Sequence, residues 1–187
     1  MKRLLIVVDF QKDFVDGALG FPEALPLGER IAAKIKEYQE RGDKIVYTFD
    51  THRANYLETQ EGKNLPIPHC LRGSDGHRLE PAIEPLFREN IDKAFYKGTF
   101  GSAELFDWLR EVNAVAGNMD ALPFESIELV GLLSNICVIA ECVIAKTACP
   151  EVPIYVDAQC TASNDPKLNE AALDVMESLQ IHVTNRA

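Results

Sequence analysis

Residues 4–8 read Leu4-Leu5-Ile6-Val7-Val8 without a polar interruption, and an acid, Asp9, follows at once. Side chains of a β-strand point alternately to opposite faces, so a strand with one wet face alternates polar and apolar residues. An unbroken apolar run therefore belongs to a strand covered on both faces, as in a parallel sheet held between helices. The run is too short for a secretory core, which needs about 7–15 apolar residues. No apolar segment reaches the ~18 residues of a membrane span.

The rest of the chain alternates short apolar strands with longer amphipathic segments. Residues 24–41 read as a helix, with Leu27, Ile31, Ile35 and Tyr38 at helical spacing and Gly42 to end it. Residues 44–49 read as a strand that ends at Asp50, and 102–115 as a helix striped by Leu105, Leu109 and Val112. Residues 127–132 read as a strand and 136–148 as a helix apolar on most faces, hence buried. A strand at 154–156, a helix at 165–179 and a last strand at 181–183 complete the series. This order predicts an α/β fold, three-layered α-β-α with a mostly parallel central sheet, as a single domain over residues 1–187. Residues 51–96 show no such pattern, and long irregular stretches in compact domains are usually functional.

Composition narrows the partners. A chain of 187 residues with 47% hydrophobic content can bury roughly 70% of its unfolded surface without staples. Its formal charge is 19 − 29 = −10, which argues against nucleic acid or an anionic membrane, since phosphate contacts need clustered Lys and Arg. Five cysteines, at 70, 137, 142, 149 and 160, are an odd count. With no export signal, they read as reduced thiols of a cytoplasmic protein.

Ligands of open α/β sheets bind beyond the carboxyl ends of the strands. Those ends carry Asp9, then Asp50 with His52, then the segment Gly131-Leu132-Leu133-Ser134-Asn135-Ile136-Cys137; Lys97 stands in Tyr96-Lys97-Gly98-Thr99-Phe100-Gly101-Ser102. Cys137 falls at a helix start, where backbone N–H groups lower a thiol pKa and can hold an oxyanion. A small core residue is the equal alternative. Cys142 and Cys149 read as core, and Cys70 and Cys160 as loop or edge thiols. Asp9 reads either as a cap or as a buried carboxylate fit for proton transfer. Lys97 is a surface charge unless it meets Asp9 and Cys137.

Asp50-x-His52 places two ligand types on one side of an extended segment, and His69 follows in the irregular stretch. Together they suit one divalent transition metal, with Glu61 or Glu58 as a fourth ligand and water in the open positions. Unrelated surface histidines are the alternative. His77 and His182 lack such partners and read as structural or exposed.

The order Asp9 with Gln11-Lys12-Asp13-Phe14, Lys97 in its Gly-Thr-Phe-Gly-Ser setting, and Gly131 through Cys137-Val138 resembles the isochorismatase-like cysteine hydrolases. Asp50-Thr51-His52 and Pro68-His69-Cys70-Leu71-Arg72-Gly73 resemble the metal site of the nicotinamidase (pyrazinamidase) branch. The resemblance spans about residues 3–160. It implies a catalytic Asp9–Lys97–Cys137 triad, with Asp9 and Lys97 together holding Cys137 as a reactive thiolate. It implies zinc or a similar ion on Asp50, His52 and His69, with Glu61 fitting the fourth place better than Glu58. It implies an oxyanion hole from the amides of Leu133 and Cys137 beside a cis Leu132–Leu133 peptide, and Phe14 stacked on the substrate ring. The activity implied is hydrolysis of nicotinamide through a thioester, in a homo-oligomer that takes a small-molecule amide. The third histidine of some nicotinamidases is missing after His52, and Trp108 falls mid-helix. Two other readings stay open: an amidase or carbamoyl-cleaving hydrolase for another small substrate, and a metal-binding module without catalysis.

Overall fold

The structure is a computed structural model, described for residues 2–119 and 121–186. The opening apolar run forms β1 (Leu4–Val8), buried along its whole length. Its pleat divides it as a doubly covered strand requires. Leu4, Ile6 and Val8 enter one core cluster, and Leu5 and Val7 the other. A short helical turn, α1 (Lys12–Val15), follows. Next, α2 (Leu27–Glu40) buries Leu27, Ile31, Ile35 and Tyr38 against the Leu5 side. It begins three residues later than the sequence pattern suggests, because Pro22–Ala24 form a separate 3-10 turn.

After β2 (Lys44–Asp50) come the five-residue helix α3 (Gln60–Asn64) and the strand β3 (Lys93–Lys97). On the opposite layer, α4 (Ala103–Gly117), α5 (Ile139–Ala148) and α6 (Pro166–Ser178) bury Leu105, Leu109, Cys142, Leu173 and Met176 against Leu4, Ile6 and Val8. Ser102 caps α4 by accepting from the Leu105 N–H at 3.1 Å, and Asp165 caps α6 ahead of Pro166. The remaining strands are β4 (Ile127–Leu132), β5 (Ile154–Ala162) and β6 (His182–Thr184). Among the described residues the sheet has the order β3-β2-β1-β4-β5-β6, every pairing parallel. This is the three-layer α/β fold that the strand–helix alternation predicts.

The strand order reverses between β1 and β4, so a crevice opens beyond their carboxyl ends. Gly131 lets the two strands close there. Its φ is +118°, and a Cβ on it would lie 2.0 Å from the Val8 carbonyl oxygen.

Two strands depart from the sequence reading. β3 falls inside the stretch expected to be irregular; it is an edge strand with Lys93, Ala94 and Tyr96 at least partly exposed, so it carries no apolar run. β5 continues six residues past Val156, beyond a register shift opposite Leu129 and Gly131. Among the described residues no helix is long and apolar enough to cross a membrane.

Candidate active site

Asp9 turns out of β1 with φ +43° and is fully buried. One carboxylate oxygen accepts from Thr48 Oγ1 at 2.6 Å, and the other from Lys97 Nζ at 2.5 Å. Lys97, the last residue of β3, is also buried and donates to the Thr99 carbonyl at 3.0 Å. The surface-charge alternative for this lysine is therefore set aside. Cys137 lies in a π-helical turn, Ser134–Val138, that joins β4 to α5 and follows the cis Leu132–Leu133 peptide. Such turns often mark functional positions because they re-aim a side chain at the mouth of a helix.

Burial and charge act on the Cys137 thiol in competing directions. Burial pushes the Cys137 thiol well above its ordinary range, the negative Asp9 pushes the same way, and Lys97 opposes both without prevailing. Complete desolvation therefore works against the thiolate that a helix start would favour. Burial also raises the Asp9 carboxyl, against the pull of Lys97. Burial would lower Lys97, but Asp9 and Cys137 hold its charge more firmly than usual. Asp9 and Lys97 thus act on the thiol in opposite directions.

The second constellation sits at the end of β2. Asp50, His52 and His69 are buried, and their ligand atoms lie within 4.8 Å of one another. His69 Nδ1 donates to the Ile67 carbonyl at 2.8 Å, which turns Nε2 toward Asp50 Oδ2 at 3.2 Å. His52 Nε2 lies 3.0 Å from the same oxygen but makes no well-directed hydrogen bond. A buried, unsatisfied imidazole nitrogen aimed at a carboxylate and a second imidazole fits a divalent metal ion. Glu61 Oε1 is 3.6 Å from His52 Nε2 and 3.7 Å from His69 Nε2, whereas Glu58 is exposed. Asp50 is held down to about 2; burial works against this, and the two imidazoles outweigh it.

Cys137 of the first constellation and Asp50 and His69 of the second line one cavity of about 300 Å³, whose walls also include Glu61, Phe14 and Phe100. Phe14 meets the His69 ring edge-on at 5.5 Å. Leu133, of the implied oxyanion hole, also lines this cavity. Cys70 and Cys160, read as loop or edge thiols, are both buried in the second core cluster: Cys70 does lie in a loop, which folds down onto that core, and Cys160 lies within β5. Cys142 and Cys149 are core, His77 is bound to Thr51 Oγ1 at 2.8 Å, and His182 stacks on Tyr155.

Two polar residues of the site stand out only in three dimensions. Thr48 hides within an apolar strand, and Glu141 within an apolar helix. Glu141 is a lone acid one helical turn beyond Cys137, but α5 also has an exposed side at Val143 and Thr147, where an acid would ordinarily lie.

The Isochorismatase domain family model matches residues 3–187. The chain belongs to the isochorismatase family. Among curated proteins no sequence matches it. It is similar to the nicotinamidase/pyrazinamidase of Bacillus subtilis, at 25% identity and a TM-score of 0.83, over 98% of this chain and 99% of that one. The pyrazinamidase of Pyrococcus horikoshii, solved in complex with zinc, matches at 24% identity and a TM-score of 0.79 over the whole of both chains. The N-carbamoylsarcosine amidase of Thermoplasma acidophilum matches at 22% identity and 0.75, over 98% and 95%. This family member is thus isochorismatase-like in fold and carries the buried Asp50–His52–His69 cluster that suits a metal.

Proposed function

We propose that the protein is a metal-dependent cysteine amidohydrolase that hydrolyses nicotinamide, or a close heteroaromatic carboxamide, to the acid and ammonia. The observation that carries this reading is the single cavity on which Cys137, a metal-type cluster and the Phe14 ring converge. Its volume suits one small ring with a carboxamide arm, and its lining is part apolar, part charged.

In the proposed reaction Asp9 takes the thiol proton as Cys137 Sγ attacks the carboxamide carbon, so that C–S forms and C=O becomes an oxyanion. The amides of Leu133 and Cys137 hold that oxyanion. Asp9 returns the proton to nitrogen, the C–N bond breaks, and ammonia leaves. Asp9 then takes a proton from water, which attacks the thioester, and the Cys137 thiol is restored with release of the acid. Lys97 keeps Asp9 ionised between these transfers and favours the thiolate as it forms. Asp50, His52 and His69, with Glu61 as a fourth ligand, would hold the ion, zinc in the first instance. When bound, the ion supplies a Lewis-acid position for a ring nitrogen and polarised water.

The test is ammonia release measured across nicotinamide, pyrazinamide and simple N-carbamoyl compounds. Turnover of the ring amides is expected. Turnover of the carbamoyl compounds alone overturns the substrate, and silence on the whole panel by metal-loaded protein overturns the enzyme.

A further inference from the structure

Among the described residues, Glu141 is the one buried acid beside the site that the proposed reaction does not use. It lies on α5, one turn beyond Cys137, with none of its surface exposed. Its Oε1 accepts from the Ser102 N–H at 2.9 Å. Its Oε2 is buried and has no hydrogen-bond partner among the described residues. Ser102 is the N-cap of α4, and Thr99 and Phe100, just before it, respectively receive a hydrogen bond from Lys97 and line the cavity. Glu141 therefore ties the segment between Lys97 and α4 to the helix that follows Cys137.

The form in which it does so follows from its surroundings. A buried carboxylate with an idle oxygen is costly unless a cation answers it. The cation whose charge acts on it is Lys97, whose ammonium already donates to Asp9 and to the Thr99 carbonyl. The other charged or titratable groups acting on this pocket are Asp9, from the end of β1, and Cys142, its neighbour on α5. Asp9 repels a second negative charge, and Cys142 is a buried thiol that Glu141 itself drives further up.

Resting on the cysteine-hydrolase reading above, we propose that Glu141 is a positioning residue that works as the neutral acid: protonated, it docks the Lys97–Ser102 segment; ionised, it sets a second carboxylate against Lys97 and Asp9 and so slows attack by Cys137. Burial, with repulsion from Asp9 and partial relief from Lys97 and the Ser102 N–H, raises its carboxyl to about 8. The change of form accordingly falls on the alkaline side of neutrality. Below that point the acid docks the segment. Above it, the added charge draws on Lys97, which is then less able to stabilise a thiolate.

The test uses the full chain and two readouts. Iodoacetamide alkylation of Cys137, followed by mass spectrometry from pH 6 to pH 10, needs neither substrate nor metal. For wild type, the logarithm of the rate should rise with pH and then break to a shallower slope near pH 8. For Glu141→Gln, which keeps the Ser102 contact without the charge, the break should vanish. The ratio of Glu141→Gln to wild-type rates should grow roughly threefold or more between pH 6 and pH 9. Glu141→Ala loses the Ser102 contact as well, and should raise KM for the amide that wild type turns over. Glu141→Gln should recover that KM, which distinguishes docking from mere folding. Parallel alkylation profiles for wild type and Glu141→Gln overturn the proposal, as does an Ala KM equal to that of wild type. Those failures differ from a failure of the hydrolase reading, which appears as turnover that survives loss of the Cys137 thiol.

Discussion

The Gln11 side chain holds both backbone groups of Asp50: its Nε2 donates to the Asp50 carbonyl at 2.9 Å, and its Oε1 accepts the Asp50 N–H at 2.8 Å. The same Nε2 reaches the His77 carbonyl at 2.9 Å. Two residues on, the carboxylate of Asp13 accepts from the Cys70 N–H at 2.7 Å, next to His69. The segment after β1 thus fixes both arms of the metal-type cluster while β1 itself delivers Asp9.

This gives Gln11 a measurable weight. Gln11→Ala would leave the buried N–H and C=O of Asp50 unsatisfied, at about 1–3 kcal/mol for each such group. Part of that is recovered by water, so a loss of about 2 kcal/mol in chemical denaturation is expected. Affinity for the ion should fall roughly 10–100-fold, as when an outer partner of a ligand is removed. Unchanged metal affinity measured by competition with a chromogenic chelator would count against the clamp.

The thiol chemistry yields a pH prediction. Because burial pushes the Cys137 thiol above its usual range, its thiolate is expected to grow as pH rises through neutrality. Alkylation of Cys137 should therefore climb through neutrality to pH 8. A plateau already reached at pH 6 would mean a lowered pKa and would refute this. Lys97→Met removes the one charge that favours the thiolate and should slow alkylation. Asp9→Asn removes a charge that disfavours it and should not, yet turnover should drop by roughly 10²–10⁴ for want of the general base. Equal slowing of alkylation in both variants would show that the two groups do not oppose one another.

Cys137→Ala should abolish turnover and Cys137→Ser nearly so, since a covalent step is lost. Cys142→Ala, a wholly buried neighbour on the same helix, should cost about 1 kcal/mol of stability as a small core truncation and leave kcat within a few-fold of wild type. The comparison is made by steady-state ammonia release and thermal denaturation of the same preparations. More than a few per cent of activity in Cys137→Ala would remove it as nucleophile.

The parts of this molecule that were legible in the sequence are those where burial writes a pattern. Leu4–Val8 announces a doubly covered strand, and Leu27, Ile31, Ile35 and Tyr38 announce the helix that covers one face. The catalytic candidates were legible because they follow strands directly, at the place where a parallel sheet presents its ligands. β3 was not, since an edge strand with partly exposed residues carries neither an apolar run nor strict alternation. Cys70 misled for a related reason: its segment has no periodicity, yet it is packed down by the Asp13 carboxylate and the His52 backbone. The sign of the Cys137 shift depends on how deeply the thiol is buried, which only the assembled layers decide. Glu141 needed the same knowledge, because an acid on a helix ordinarily faces water.

On the proposed reading, an ion on Asp50, His52 and His69 would govern substrate choice. A ligand set that leaves positions open to water or substrate is the pattern of a functional rather than a structural site. A pyridine nitrogen is a donor comparable to imidazole and suits the same ions. Benzamide has the outline of nicotinamide without that nitrogen. If the ion orients the ring, benzamide should be turned over more slowly by about 10²-fold or more, the scale of a lost positioning contact. Stripping the ion with a chelator should depress nicotinamide turnover and narrow the gap between the two amides. His52→Ala and His69→Ala should each do the same without a chelator, while Glu58→Ala, at an exposed position, should leave the gap in place. Steady-state ammonia release from both amides, before and after metal removal, decides the matter. Equal rates for benzamide and nicotinamide with the ion bound would reject the orienting role and point to a substrate recognised by its amide and the apolar walls alone.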